Sequence, residues 1–237
     1  MPATESSATD GRVPSALDLD TLSRQLNRPV RDVVEIPARC VCGNPLVAAT
    51  APRLSNGIPF PTTYYLTHPV LTAAASRLEA AGLMNEMTDR LAADTELAAA
   101  YQHAHEAYIA AREAIGERAG TGPVPETAGI SAGGMPTRVK CLHVLIGHAL
   151  AAGPGVNPLG DEALAAVAEW WTAERCYCEG AWDNQAPVPH KDLSRHVKHL
   201  NQVKADAAAK ASPATESGNS ESGTANSGTL NSGNSEQ

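Results

Sequence analysis

The sequence predicts an α+β domain: a short N-terminal antiparallel β-meander packed against a predominantly helical body, with disordered tails. Three observations carry this prediction. Between residues 33 and 67, three short apolar stretches are separated by the turn signals Gly43-Asn44-Pro45 and Ser55-Asn56-Gly57. From Pro69 onward, apolar residues recur at helical spacing instead. No internal repeat interrupts this order.

A first helix is expected over 18–27, with Asp18 or Asp20 near its cap and Leu22 and Leu26 facing inward. The strands of the meander are expected over 33–40, 46–54 and 60–67. Pro37 and Pro52 fall inside two of them and call for edge positions or interruptions. Pro69 suits the first turn of a helix that ends before Gly82. Leu83, Met87 and Leu91 continue at helical spacing, and Asp94 caps a longer helix carrying Leu97, Tyr101, Tyr108 and Ile115. Residues 116–136 are rich in Gly and Pro and read as a loop. A further helix is expected over about 137–152, stopped by Gly153-Pro154-Gly155. Asn157-Pro158 then opens a last core helix with Leu164, Val167 and Trp171.

The 237 residues suffice for one good core. Of the 43% hydrophobic residues only 3 Trp, 5 Tyr and 1 Phe are aromatic, so the core must come from closely packed helices rather than large side chains. The formal net charge of −8 argues against a general nucleic-acid or anionic-membrane binder. No apolar run approaches the roughly 20 residues of a membrane span. The first residues, Met-Pro-Ala-Thr-Glu-Ser-Ser, lack the basic start and apolar stretch of a signal peptide. A cytoplasmic location is expected. The domain is placed at 18–180, after a loose tail over 1–17. A polar, partly helical extension follows over 181–212, and a Ser/Gly/Asn-rich disordered tail over 213–237.

Several longer motifs form one series: Arg39-Cys-Val-Cys-Gly, Pro52-Arg-Leu, Pro59-Phe-Pro-Thr-Thr-Tyr-Tyr-Leu-Thr and Arg77-Leu-Glu-Ala-Ala-Gly. Gly133-Gly-Met-Pro-Thr-Arg-Val-Lys-Cys-Leu-His and Gly153-Pro-Gly-Val-Asn-Pro-Leu-Gly-Asp-Glu complete it. Over about 20–176 the chain resembles the bacterial family called domain of unknown function 501. The resemblance brings no activity with it. It implies partners only through gene neighbourhood, beside enolase, a septum-formation initiator and an exopolyphosphatase-like enzyme, hence cell-division or polyphosphate-related proteins. The segment Cys176-Tyr-Cys178 departs from the family's single cysteine after the Trp pair, and His190, His196 and His199 lie outside the resemblance.

Cys40, Cys42, Cys141, Cys176 and Cys178 are too few and too scattered for a disulfide framework in a chain without export signals. Thiolates are soft, charged donors, and four of them satisfy a zinc or iron–sulfur site. The expected ligands are Cys40, Cys42, Cys141 and Cys176. His143 is held in reserve, because residues two apart on a helix diverge by about 200°. His143 would join Cys141 only if the segment there is irregular. His148 reads as a core or surface histidine. Two other readings of the thiols stand beside the metal: inert buried packing, and a reactive Cys141 activated by a helix N-terminus and by Arg138 and Lys140.

A cationic set, Arg39, Arg53, Arg138 and Lys140, suits an anion, with the Gly133-Gly134 loop offering backbone N–H groups before a helix. The plainer account makes these residues ordinary salt-bridge partners. The expected function is a small binding or regulatory domain with a cysteine-ligated zinc or iron–sulfur site. The alternatives are a thiol-dependent or phosphate-handling enzyme centred on Cys141 with Arg138 and Lys140, and a metal-free interaction module.

Overall fold

Ser15 opens the first helix, α1 (Ala16–Gln25), in the computed structural model, which describes residues 11–189. Its hydroxyl accepts from the Asp18 N–H, and the Asp18 carboxylate accepts from the Ser15 N–H, so two backbone donors at the helix start are satisfied reciprocally. The expected start at 18 moves back two residues, to Ala16, because Asp18 stands at the third helical position and Ser15 is the cap. The inner end of the expected 1–17 tail runs beside the sheet, where the Arg12 carbonyl accepts from Ile36 N–H. Residues 1–10 of that tail, the expected extension from 190 on with His190, His196 and His199, and the C-terminal tail lie outside the described residues.

The meander forms as expected, with antiparallel strands in the order β1-β2-β3. They are β1 (Val33–Arg39), β2 (Pro45–Thr50) and β3 (Tyr64–Leu66). Every residue of β2 is buried, because α1 covers one face of the sheet, with Leu22 packed against Ile36 and Ala48, while the helical body covers the other. Pro37 sits in the edge strand where the β1–β2 register is irregular, between Glu35 and Ala38. β2 and β3 are shorter than expected. Pro52, Pro59 and Pro61 remove ladder donors, and Phe60 N–H turns back to the Pro52 carbonyl instead.

The body comprises α2 (Pro69–Ala80), α3 (Leu83–Ala93), α4 (Thr95–Arg118), α5 (Leu142–Ala152) and α6 (Pro158–Ala166). Asp94 caps α4 by accepting from Glu96 and Leu97 N–H. Arg112 is buried and donates to the carbonyls of Thr127 and Ile130, pinning the loop that follows α4. α5 is the central helix. It packs against α2, α6 and the sheet, and buries Leu142, Leu145, Ile146 and His148. His148 is a core histidine between Tyr64 and Tyr108, where burial lowers its pKa to about 4 and keeps it neutral.

Two boundaries differ from expectation. α5 begins at Leu142, not near 137, because Gly133 and Gly134 take positive φ and their carbonyls accept from Lys140 and Arg138 N–H, closing a turn ahead of the helix. α6 stops at Ala166, so buried Trp171 and the cysteines at 176 and 178 lie on non-helical chain. α5 and α6 approach closely at Gly160, where a Cβ would lie 2.5 Å from the Leu145 carbonyl oxygen. Gly160→Ala is expected to lower the unfolding free energy by about 3 kcal/mol in urea titration. An unchanged midpoint would mean that the helix pair relaxes freely.

Candidate metal centre

The turn between β1 and β2 carries the first two thiols. Cys40 N–H donates to the Asn44 carbonyl (2.8 Å) and Gly43 N–H to the Cys40 carbonyl (2.8 Å), with Gly43 at φ +91°. This tight knuckle turns the side chains of Cys40 and Cys42 toward one point. The non-helical chain after α6 brings Cys176 and Cys178 to the same place. The four Sγ atoms all lie within 4.8 Å of one another, with Cys42 and Cys178 at 3.4 Å.

Around the thiols stand donors that suit thiolate. Asn44 Nδ2 lies 3.4 Å from Cys42 Sγ, and His68 Nε2 lies 3.5 Å from Cys178 Sγ. His68, which precedes α2, is fully buried, and burial lowers its pKa to about 4, so it stands neutral with Nε2 facing the Cys178 thiol. The Trp182 ring meets it edge-on at 5.8 Å. Burial raises the pKa of Cys40 and Cys178. Burial also acts on Cys42, but the backbone N–H of Asn44 and the neighbouring thiols outweigh it and bring its pKa down to about 7.

Three of the four expected ligands, Cys40, Cys42 and Cys176, thus come together. The fourth thiol of the group is Cys178, and Cys141 stands apart from it. Cys141 caps α5 in an extended conformation (φ −158°, ψ 111°), so the segment is irregular there, and Cys141 Sγ lies 3.9 Å from Nδ1 of His143. The same Nδ1 lies 3.1 Å from Glu79 Oε1, while Nε2 lies 3.1 Å from the Thr72 carbonyl oxygen. Cys141 is the largest cause raising the His143 pKa to about 9; Glu79 adds to it, and burial opposes. A nucleophile–base–carboxylate relay needs thiol and carboxylate on opposite ring nitrogens. Here both share Nδ1, which disfavours the relay behind the reactive-thiol reading.

The cationic set does not gather. Arg39 holds Asp18 with a two-point pair at 2.6 and 3.1 Å, and Arg53 holds Glu126 at 2.7 Å. Arg138 and Lys140 are exposed on the segment before α5. The Gly133-Gly134 loop does not lead into the helix, whose first N–H, that of Leu142, donates to Glu79 Oε1 at 2.7 Å. That helix end is already occupied by a side-chain carboxylate, which corrects the expected anion cradle.

Fold and site together define a small α+β protein with a four-thiol cluster able to hold a metal. Its sequence places it among relatives: the chain belongs to the family described as Protein of unknown function (DUF501), whose match covers residues 36–165. The resemblance read from the motifs is borne out. Cys40, Cys42 and Cys141 fall inside the matched span, Cys176 and Cys178 beyond it. Neither the curated proteins nor the solved structures contain a match to this chain. Among the described residues no helix is long and apolar enough to cross a membrane.

Proposed function

We propose that this chain is a small binding domain of the reducing cytoplasm in which Cys40, Cys42, Cys176 and Cys178 hold one structural zinc ion. The observation that carries the reading is the mutual spacing of the four sulfurs. A tetrahedral zinc with Zn–S bonds of about 2.3 Å sets its ligands roughly 3.8 Å apart, which the 3.4 Å Cys42–Cys178 pair and the 4.8 Å outer limit bracket. An iron–sulfur cluster interposes its own iron and sulfide atoms and holds its thiolates farther apart. Four protein ligands also leave no open position, which suits structure rather than catalysis.

His68 and the Asn44 amide support the same reading as N–H donors around an anionic four-thiolate shell. The ion would tie the β1–β2 turn to the chain beyond α6, two segments that share no strand or helix.

Purification without air and without a histidine tag, followed by elemental analysis and an absorption spectrum, tests it. Tightly held zinc that is lost in Cys178→Ser and kept in Cys141→Ser is the expected result. Visible absorbance with bound iron, or zinc content indifferent to Cys178, would overturn it.

A further inference from the structure

We propose that Glu79, Cys141 and His143 form a second metal site, separate from the four-thiol centre and open to solvent, for a divalent cation of the zinc class. Glu79 comes from the last turn of α2, while Cys141 and His143 flank the first residue of α5. One ligand atom from each lies within 4.8 Å of the other two. A thiol, an imidazole and a carboxylate together are a donor set that borderline cations accept.

The backbone builds this arrangement. In a continuous helix, Cys141 and His143 would point about 200° apart. The extended Cys141 breaks the helix at that residue and brings both side chains to one side. The ring of His143 is then fixed by its far nitrogen, since Nε2 donates to the Thr72 carbonyl at 3.1 Å and leaves Nδ1 aimed at the other two donors. Metal-bound histidines are held in this way, with the second nitrogen on a backbone carbonyl or carboxylate. The Glu79 carboxylate is fixed in turn by the Leu142 N–H at 2.7 Å.

All three residues are half-buried, unlike the two buried cysteines of the other cluster. Three protein donors leave a tetrahedral ion one position for water or a small anionic ligand. Exposed Arg138 and Lys140, just before Cys141, set positive charge on the segment that delivers it. When the cation enters, it takes the place of the proton shared between Nδ1 and Glu79 and of the thiol proton of Cys141. Both protons leave to solvent, and no electron moves.

The test uses the full chain, loaded with a single equivalent of zinc, desalted and then titrated with cobalt(II). The expected result is a further equivalent of cobalt with the near-ultraviolet absorption of a thiolate–cobalt bond. Cys141→Ser should abolish that absorption and weaken binding by at least about 100-fold. Glu79→Gln keeps an acceptor for the Leu142 N–H while removing the anionic ligand, so it reports on the site even if Cys141→Ser folds poorly. It should weaken binding by about 10-fold or more. Cys178→Ser should leave the Cys141-dependent absorption in place. No cobalt uptake with thiolate absorption beyond the zinc site, or uptake indifferent to both Cys141→Ser and Glu79→Gln, overturns the proposal. Failure of the four-thiol reading shows separately, as zinc uptake in the loading step that Cys178→Ser leaves unchanged.

Discussion

Cys178→Ser, or removal of the ion by a strong chelator, is expected to lower the melting temperature by about 10 °C. Loss of a structural metal belongs among the mutations that destabilise by about 4 kcal/mol or more, and in a domain of this size each kcal/mol is worth roughly 2–4 °C. The effect should be local before it is global. Beyond α6 the chain from 167 to 189 has no helix or strand. Its other anchors include buried Val167 and Trp171, Trp170 beneath the Arg77 guanidinium, the edge contact of Trp182 on His68, and the Arg24 bond to the Ala186 carbonyl at 2.9 Å. Without the thiol centre this segment opens at lower free energy than the body. The peptide bond after Arg175, whose guanidinium lies over the Tyr177 ring, should then be cut by trypsin. Cys141→Ser should leave that bond protected. Equal tryptic resistance in Cys178→Ser and the parent chain would show that packing alone holds the segment.

Arg112→Met is expected to lower the unfolding free energy by about 3 kcal/mol, the second large effect. Arg112 is 2% exposed and its guanidinium bonds the Thr127 and Ile130 carbonyls, with no carboxylate in direct contact among the described residues. Methionine fills much of the same volume but donates nothing. Two charge-assisted bonds would be lost, at about 1.5 kcal/mol or more each, although the Thr127 carbonyl keeps the Ile130 N–H. Ser131 follows directly and bonds His105 and the Met135 carbonyl, so the loop's loss of order should spread toward the Gly133-Gly134 turn. Urea unfolding measures the loss, and hydrogen exchange over 124–135 localises it. A loss under 1 kcal/mol would mean that water replaces the guanidinium at both carbonyls.

Much of the fold was legible because its signals are local. Asp94, Pro69 and Asn157 act within one turn of where they stand, and all three mark helix starts in the structure. Strand ends were harder, since Pro59 and Pro61 had to be weighed as strongly as Pro52. The start of α5 was misplaced because the Gly133-Gly134 turn returns on itself through Lys140, a closure that periodicity cannot register. In the candidate site three of the four clustered thiols were legible. Cys178 was set aside because it departs from the family pattern. Its signal was the repeated Cys-x-Cys spacing at 40–42 and 176–178, two short knuckles of one kind. Glu79 carried no such signal, for a single glutamate in a helix acquires its role only from what the fold places against it.

Cys42 and Cys178 stand 136 residues apart in the chain and 3.4 Å apart in space. During synthesis at roughly 5–20 residues per second, the first knuckle leaves the ribosome many seconds before the second exists. Over that interval Cys40 and Cys42 form a half-site, exposed to stray metals, oxidants and chaperones while the helical body assembles behind them. Closure of the thiol centre is thus a late event, and it can report that the domain between its two halves has been made in full.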